Sequence, residues 1–448
     1  MQLKNYFQLV GLLGLCFLWS CKKDNAIESV NDANLKALLT EGGNDLSSYI
    51  FPTSTDYANI PSDPKNPITK EKVALGQLLF HETGIALKPE NPISKGNFSC
   101  ASCHFASAGF QAGRFQGIAE GGIGFGKNGE GRIKGSLYPG HMLDVQPIRS
   151  PSALNIAYQT NVLWNGQFGA TGLNVGTEAA WKEGTPIATN FLGYEGTEIQ
   201  AIAGLSVHRM SADTGFIQEQ NYMGYFAKAF PDFNFPEDCD LEHMGLAVAA
   251  YERTLLANKA PFQEWLKGNS NAMTEKQKEG ATIFFGKGEC NTCHNGPALS
   301  SMEFHALGMK DLYQINELTF KTNPENTENK GRGGFTGKQE DMFKFKVPQL
   351  YNLKDSPFYG HGSSFRSIRE VIEYKNRGIK ENENVPDAAL SPTFGPKGLT
   401  DLEMDALVDF IENALHDPDL KRYEPTSILS GNCFPFNDPM AKNHLGCD

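Results

Sequence analysis

The chain lacks an excess of positive charge. Its 40 Lys+Arg stand against 52 Asp+Glu, a formal net charge of −12, which argues against nucleic-acid binding, because phosphate neutralisation requires clustered cations. Beyond its first twenty residues it also lacks any apolar run of about 18 residues, which leaves nothing to cross a bilayer as a helix. A disordered chain is excluded too, because 40% of the residues are hydrophobic and only 21% are charged. What remains is 448 residues of globular composition, enough for two or three units that each bury a core. The 46 Gly and 24 Pro assign much of that length to loops.

The first twenty residues read as a targeting segment. Lys4 precedes an apolar stretch from Phe7 to Trp19 that is too short for a permanent span, and Leu18-Trp19-Ser20-Cys21 closes it. That ending resembles the lipobox of bacterial lipoproteins, apart from Trp19 where the motif usually carries a small residue. On this reading residues 1–20 are removed, Cys21 is lipidated, residues 21–45 form a tether, and the protein sits on the periplasmic side of the cell envelope, touching the membrane only through its anchor. An ordinary secretory signal with an incidental Cys21 is the competing reading.

Cysteine is sparse, nine in all, yet four of the nine fall into two identical constellations: Cys100-Ala101-Ser102-Cys103-His104 and Cys290-Asn291-Thr292-Cys293-His294. Two thiols at this spacing add to the two vinyl groups of haem, and the adjacent imidazole reaches the iron as proximal ligand. From this composition two such motifs by accident have a chance on the order of 10⁻⁵. A thioredoxin-like CxxC would need a βαβ setting, and zinc would need two more ligands nearby. Two covalent c-type haems are therefore expected, with His104 and His294 on the irons.

The motifs sit inside a repeat. Thr69-Lys70-Glu71 opens a helix with Gly76 and Phe80 on its inner side, and Thr274-Glu275-Lys276 opens another with Gly280 and Phe284. A CxxCH follows each. Pro151 to Asn155 then leads to Trp164-Asn165-Gly166, Pro348 to Asn352 leads to Tyr359-Gly360-His361-Gly362, and amphipathic helices over Leu241–Leu256 and Leu402–Leu415 close the two halves. The pattern predicts a mostly α fold of two tandem cytochrome c-like domains, residues 46–262 and 272–425, with a tail over 426–448. A Gly-rich insertion from Gly109 to Gly140 contains Gly121-xxxx-Gly126-Lys127-Asn128, which lacks the Ser/Thr and the preceding strand of a phosphate-binding loop and reads as a flexible loop beside the first haem. Cys433 and Cys447 flank a 13-residue tail segment that a disulfide would close, leaving Cys239 free and buried at the start of the closing helix.

With Arg149-Ser150-Pro151-Ser152-Ala153-Leu154-Asn155, Leu163-Trp164-Asn165-Gly166, Phe345 to Asn352 and Ser356-Pro357-Phe358-Tyr359 added to the two haem motifs, the chain resembles the bacterial di-haem cytochrome c peroxidases, a family that includes the methylamine-utilisation di-haem enzymes. The resemblance covers residues 67–416. It implies a peroxidatic first haem, a second haem that receives electrons from a small cytochrome or cupredoxin, hydrogen peroxide as substrate, and Trp164 between the haems; a di-haem oxidase of a protein or organic substrate and a non-catalytic di-haem electron-transfer cytochrome are the competing functions. A core Trp at a domain interface is the plainer reading of the same residue. A homodimeric state is left open.

The departures from the family matter as much. Its distal Glu, ten residues after a Gln, has no counterpart after Gln200, where Gly204 to Met210 contains no carboxylate. His208 is the candidate to move the peroxide proton, Arg209 and Arg149 the candidates to stabilise charge, and Glu198 or Glu195 the competing acids. His141, eight residues before Arg149, falls near the family's distal His of the resting enzyme. For the second haem the aligned sixth-ligand position is Lys375, with Tyr374 beside it and Met309 and Met342 as further candidates; an amine or a phenolate would lower the potential relative to a thioether. The resemblance also implies a calcium ion at the domain junction, near Ser150, Asp355 and Pro357.

Overall fold

The computed structural model describes residues 29–447 apart from Asn44 and Ala212. The signal segment, Cys21 and the start of the expected tether lie outside the described residues. Among the described residues no helix is long and apolar enough to cross a membrane. The fold is mostly helical. Its principal helices are α1 (Val30–Leu39), α2 (Lys70–His81), α3 (Gly196–Val207), α4 (Leu241–Arg253), α5 (Glu275–Phe285), α6 (Ile368–Arg377) and α7 (Asp401–Asp409), joined by long loops with short 3₁₀ turns.

Local chemistry sets where these helices start. Thr69 caps α2 by accepting from the Lys72 amide, and Thr274 and Gln277 form a reciprocal capping box on α5. The expected helix after Leu241 ends at Arg253, three residues early, and α7 continues into a π-helical turn over Phe410–Ala414. Each haem motif is then held by the same helix pair. A Cβ added at Gly76 of α2 would fall onto the Ala247 carbonyl and 2.9 Å from the Tyr251 Cβ; one added at Gly280 of α5 would stand likewise to the Ala406 carbonyl and 2.9 Å from the Phe410 Cβ. Close backbone approach, with Leu75, Leu79, Phe80 and Phe284 sealed beside it, replaces side-chain interdigitation at these crossings. Asn155 and Asn352, both with positive φ, repeat the same pin: each amide donates to a Leu carbonyl (Leu255, 2.7 Å; Leu415, 3.1 Å), and each side-chain oxygen accepts from the chain two residues on (Ala257, 2.9 Å; Asp417, 3.1 Å).

Two expectations are corrected. The segment read as a tether folds from Val30 onward as α1, because Leu35 and Leu39 are buried and Asp32 accepts from Trp265 Nε1 (2.6 Å) and Lys278 Nζ (3.0 Å). The Gly-rich insertion is packed, not a free loop. It forms a hairpin, β1 (Gly122–Ile123) against β2 (Ile133–Lys134), and its Arg132 is buried over the Phe436 ring with Nη1 donating to Asp438 at 2.6 Å. Gly129, at φ 84, turns the chain where an added Cβ would strike the Phe105 ring. The C-terminal tail therefore folds back over the first haem motif: Ser102 Oγ donates to the Pro435 carbonyl at 2.7 Å, and Cys433 and Cys447 form a disulfide. Cys239 is free and buried.

The helix crossings generate a stability test. Gly280→Ala forces a methyl into the Ala406 carbonyl and should cost about 1–3 kcal/mol. Gly224, in a short exposed helix with nothing near its added Cβ, is the control, and Gly224→Ala should stabilise by about 0.5–1 kcal/mol. Denaturant melts of the two variants check both signs.

Candidate functional site

One cavity of about 790 Å³ runs from Cys103 and His104 to Cys290, Cys293 and His294. Both CxxCH motifs are 3₁₀ turns, Cys100–Ser102 and Cys290–Thr292. After each turn the imidazole is fixed in the same way. His104 Nδ1 donates to the Phe110 carbonyl (3.2 Å) and His294 Nδ1 to the Leu299 carbonyl (3.0 Å). Phe110 and Leu299 both have positive φ, which bends the chain back over the ring. Burial pushes each imidazole down to about 4, so both rings are neutral and Nε2 is left with a lone pair. Paired thiols, a neutral imidazole with a committed Nδ1 and a shared cavity fit two covalently bound haems, held by Cys100, Cys103 and His104 at one end and Cys290, Cys293 and His294 at the other.

At the first end, α3 presents Gln200, Gly204, Val207 and His208 to the cavity, positions that fall on one helix face. His208 Nδ1 lies 2.8 Å from Asp144 Oδ2. Burial opposes the charged ring, but the charge and hydrogen bond of Asp144 outweigh it and raise the His208 pKa. Arg209 does not line the cavity. It follows the helix end at φ 58 and turns its guanidinium to Glu120, so it is not placed to stabilise charge on a bound peroxide. Glu198, fully buried, is held by Arg253 at 2.6 and 2.8 Å, and Glu195 by Arg253 at 3.0 Å; these carboxylates brace the back of α3, away from the cavity lining. Arg149 does line the cavity, with Nη2 donating to Gln111 Oε1 (2.9 Å) and Ser356 Oγ (2.7 Å). His141 is exposed on a short turn and outside the lining, which removes it from reach of the first haem in this conformation.

Trp164 lines the same cavity. Its Nε1 donates to the Arg149 carbonyl at 2.8 Å, and its ring stands edge-on to His361 at 6.3 Å. At the second end Lys375 lines the cavity with Cys290, Cys293 and His294, and burial pushes its amine down to about 8. Tyr374, rotated by one residue of α6, faces away: its hydroxyl donates to the Leu307 carbonyl at 2.5 Å and its ring packs on Phe365 and Phe394. Met309 lines the cavity and Met342 does not. At the expected calcium position the two Asp355 carboxylate oxygens meet His416 Nε2 (3.0 Å) and Asn352 Nδ2 (2.8 Å), and Pro357 is exposed.

Sequence reasoning passed over three buried groups in the lining. Glu252 is raised to about 8 by burial and the nearby Glu198 charge, and one of its oxygens has no hydrogen-bond partner. Lys346 is pushed down to about 7 by burial and donates to Gln159 Oε1 at 2.6 Å; His361 pairs with Asp311 at 2.9 Å. The signal for Glu252 was present in the sequence, a carboxylate following the apolar run from Leu246 to Tyr251 on a closing helix.

Two CxxCH turns on a repeated helical scaffold, facing one cavity, define a di-haem c-type protein. Comparison with known proteins agrees. The family described as di-haem cytochrome c peroxidase matches residues 70–271. The methylamine utilization protein MauG of Methylorubrum extorquens is 28% identical over 362 residues, 80% of this chain and 82% of that one. The cytochrome-c peroxidase IdrP1 of Pseudomonas sp. strain SCT is 28% identical over 402 residues, 85% and 90% of the two chains. The crystal structure of a MauG-like protein associated with microbial copper homeostasis shares the fold, with a TM-score of 0.55 at 22% identity over 83% of this chain and 95% of that one. The chain belongs to the di-haem cytochrome c peroxidase family, MauG proteins included, and is an oxidoreductase of that family.

The donor sets predict the haem content. Protein matured in a host that attaches c-type haem should carry two covalent haems by mass spectrometry, and Cys100→Ala/Cys103→Ala should carry one. A wild-type mass with one adduct or none would contradict the pairing of both motifs with haem.

Proposed function

We propose that this protein reduces hydrogen peroxide to water with electrons from a small periplasmic redox protein, a cytochrome or a cupredoxin. The observation that carries the proposal is the placing of His208, held by Asp144, on the α3 face that lines the cavity at its His104 end. When bound, the haems supply the electrons and the iron at which peroxide is held. His208 Nε2 accepts the proton from one peroxide oxygen and returns it to the other, so that water leaves as the O–O bond breaks; two electrons and two protons in all give two waters. Gln200 orients the peroxide from the same helix face, and Arg149 places its cation at the cavity wall. Peroxidases among the relatives support this chemistry.

Trp164 would serve as the aromatic bridge between the two ends, and Lys375, in the lining with Cys290, Cys293 and His294, would hold the second haem's iron from the protein side. The two-domain division at residues 46–262 and 272–425, and a lipid anchor on Cys21 at the periplasmic side of the envelope, complete the reading. Oxidation of a protein or organic substrate is the second reading, favoured by the MauG relative; Tyr374, turned away from the cavity, does not support it through phenolate ligation.

His208→Ala should lower peroxide turnover at saturating donor by about 10²- to 10⁴-fold with both haems retained; unchanged turnover would assign the proton to another group. Lys375→Met should raise the potential of the second haem in a redox titration, because a thioether replaces an amine. An unchanged potential and spectrum would remove Lys375 from the iron.

A further inference from the structure

Around His208 lie two buried carboxylates and one arginine. Glu120, fully buried, accepts from the Asn91 amide (3.0 Å), from Arg209 Nε (2.5 Å) and from the Tyr138 hydroxyl. Arg209 spends its remaining reach on Glu90 at 3.5 Å, and its Nη2, 3.9 Å from Asp144, has no hydrogen-bond partner. The arginine is shared between Glu120, which it bonds, and Asp144, whose charge it also faces. Asp144, 5% exposed, makes its side-chain hydrogen bond to His208. It is clamped for that purpose: its amide donates to the Glu120 carbonyl (3.1 Å) and its carbonyl accepts from the Ala119 amide (3.0 Å). The other titratable groups that act on the pair are Lys321, exposed and near Asp144, the thiol of Cys103, also near Asp144, and His104, whose neutral ring lies near His208.

We infer that Asp144 is the positioning residue for His208, holding Nδ1 and leaving Nε2 as the ring nitrogen that meets peroxide. This rests on the reading that His208 moves the peroxide proton. A carboxylate can only accept, so Nδ1 must carry a hydrogen in both protonation states of the ring. The neutral ring then offers a lone pair at Nε2 and the charged ring offers a proton at Nε2. One atom can take the proton from the first peroxide oxygen and deliver it to the second without the ring turning. A free neutral imidazole divides between two tautomers, and the one that carries its hydrogen on Nε2 offers no lone pair there to take a proton. The raised pKa of His208 has the same origin: the charge and hydrogen bond of Asp144 favour the imidazolium and outweigh burial and the opposing charge of Arg209.

The test uses ferric holoenzyme. Absorption of the first haem is titrated against pH in the wild type, His208→Ala, Asp144→Asn and Asp144→Glu, alongside the pH profile of peroxide turnover. The wild type should show a transition that His208→Ala lacks. Removing the Asp144 charge favours the neutral ring, so Asp144→Asn should move that transition and the turnover profile to lower pH. It should also lower kcat by about tenfold or more with KM and haem content little changed, and Asp144→Glu should restore part of both. An unmoved transition in Asp144→Asn, with His208→Ala still inactive, would overturn the role of Asp144 and leave that of His208 standing. Unchanged turnover in His208→Ala would overturn both. Should the Asn variant fold without haem, Asp144→Ser takes the same titration, and an unmoved midpoint there overturns the proposal equally.

Discussion

Everything at this site depends on what happens to the Nδ1 atoms of two histidines. Each is committed to a backbone carbonyl five or six residues further on, Phe110 for His104 and Leu299 for His294, and each carbonyl is brought into place by a residue with positive φ. That single hydrogen bond settles the tautomer, the direction of the ring and the atom offered to the iron. It also sets the demands on the rest of the chain. The loop must fold back tightly, a helix pair must support it, and the glycines at the helix crossings must let two backbones meet where side chains would hold them apart.

The scaffold is duplicated with little change, and the far walls of the cavity are where the two ends part company. With His104, the cavity lining includes a half-buried imidazole bonded to a carboxylate. With His294, it includes a lysine whose burial disfavours its charge. On the proposed function the first would exchange a proton with a small oxidant and the second would offer a lone pair to the iron. An identical proximal side with different distal chemistry is a physical basis for dividing work between two haems. Trp164, tied to the Arg149 carbonyl with His361 beside it, lines the same cavity.

Motifs that act over a few residues were legible in the sequence. The CxxCH pairs, the Thr caps of α2 and α5 and the Cys433–Cys447 bridge needed only local spacing. Side-chain direction was not legible. Lys375 and Tyr374 are adjacent in sequence, yet one turn angle on α6 sends the first into the cavity and the second into the protein. Arg209 was paired with His208 by proximity, but the backbone leaves the helix between them and points it to Glu120. Glycine was the other blind spot, because abundance reads as flexibility, whereas the insertion before Gly140 uses its glycines to pack against a tail some three hundred residues downstream. Asp144 could not be found from sequence at all; its partner lies 64 positions away.

The central claim is that the two ends differ in openness, the first free to admit peroxide and the second closed by a protein ligand. An absorption and electron paramagnetic resonance spectrum of the purified protein, fully oxidised and then half-reduced, tests this most directly. The account predicts one high-spin haem with an open position, beside one low-spin haem with nitrogen ligands on both faces. Two six-coordinate, low-spin haems in both states, unchanged on adding peroxide, would contradict it.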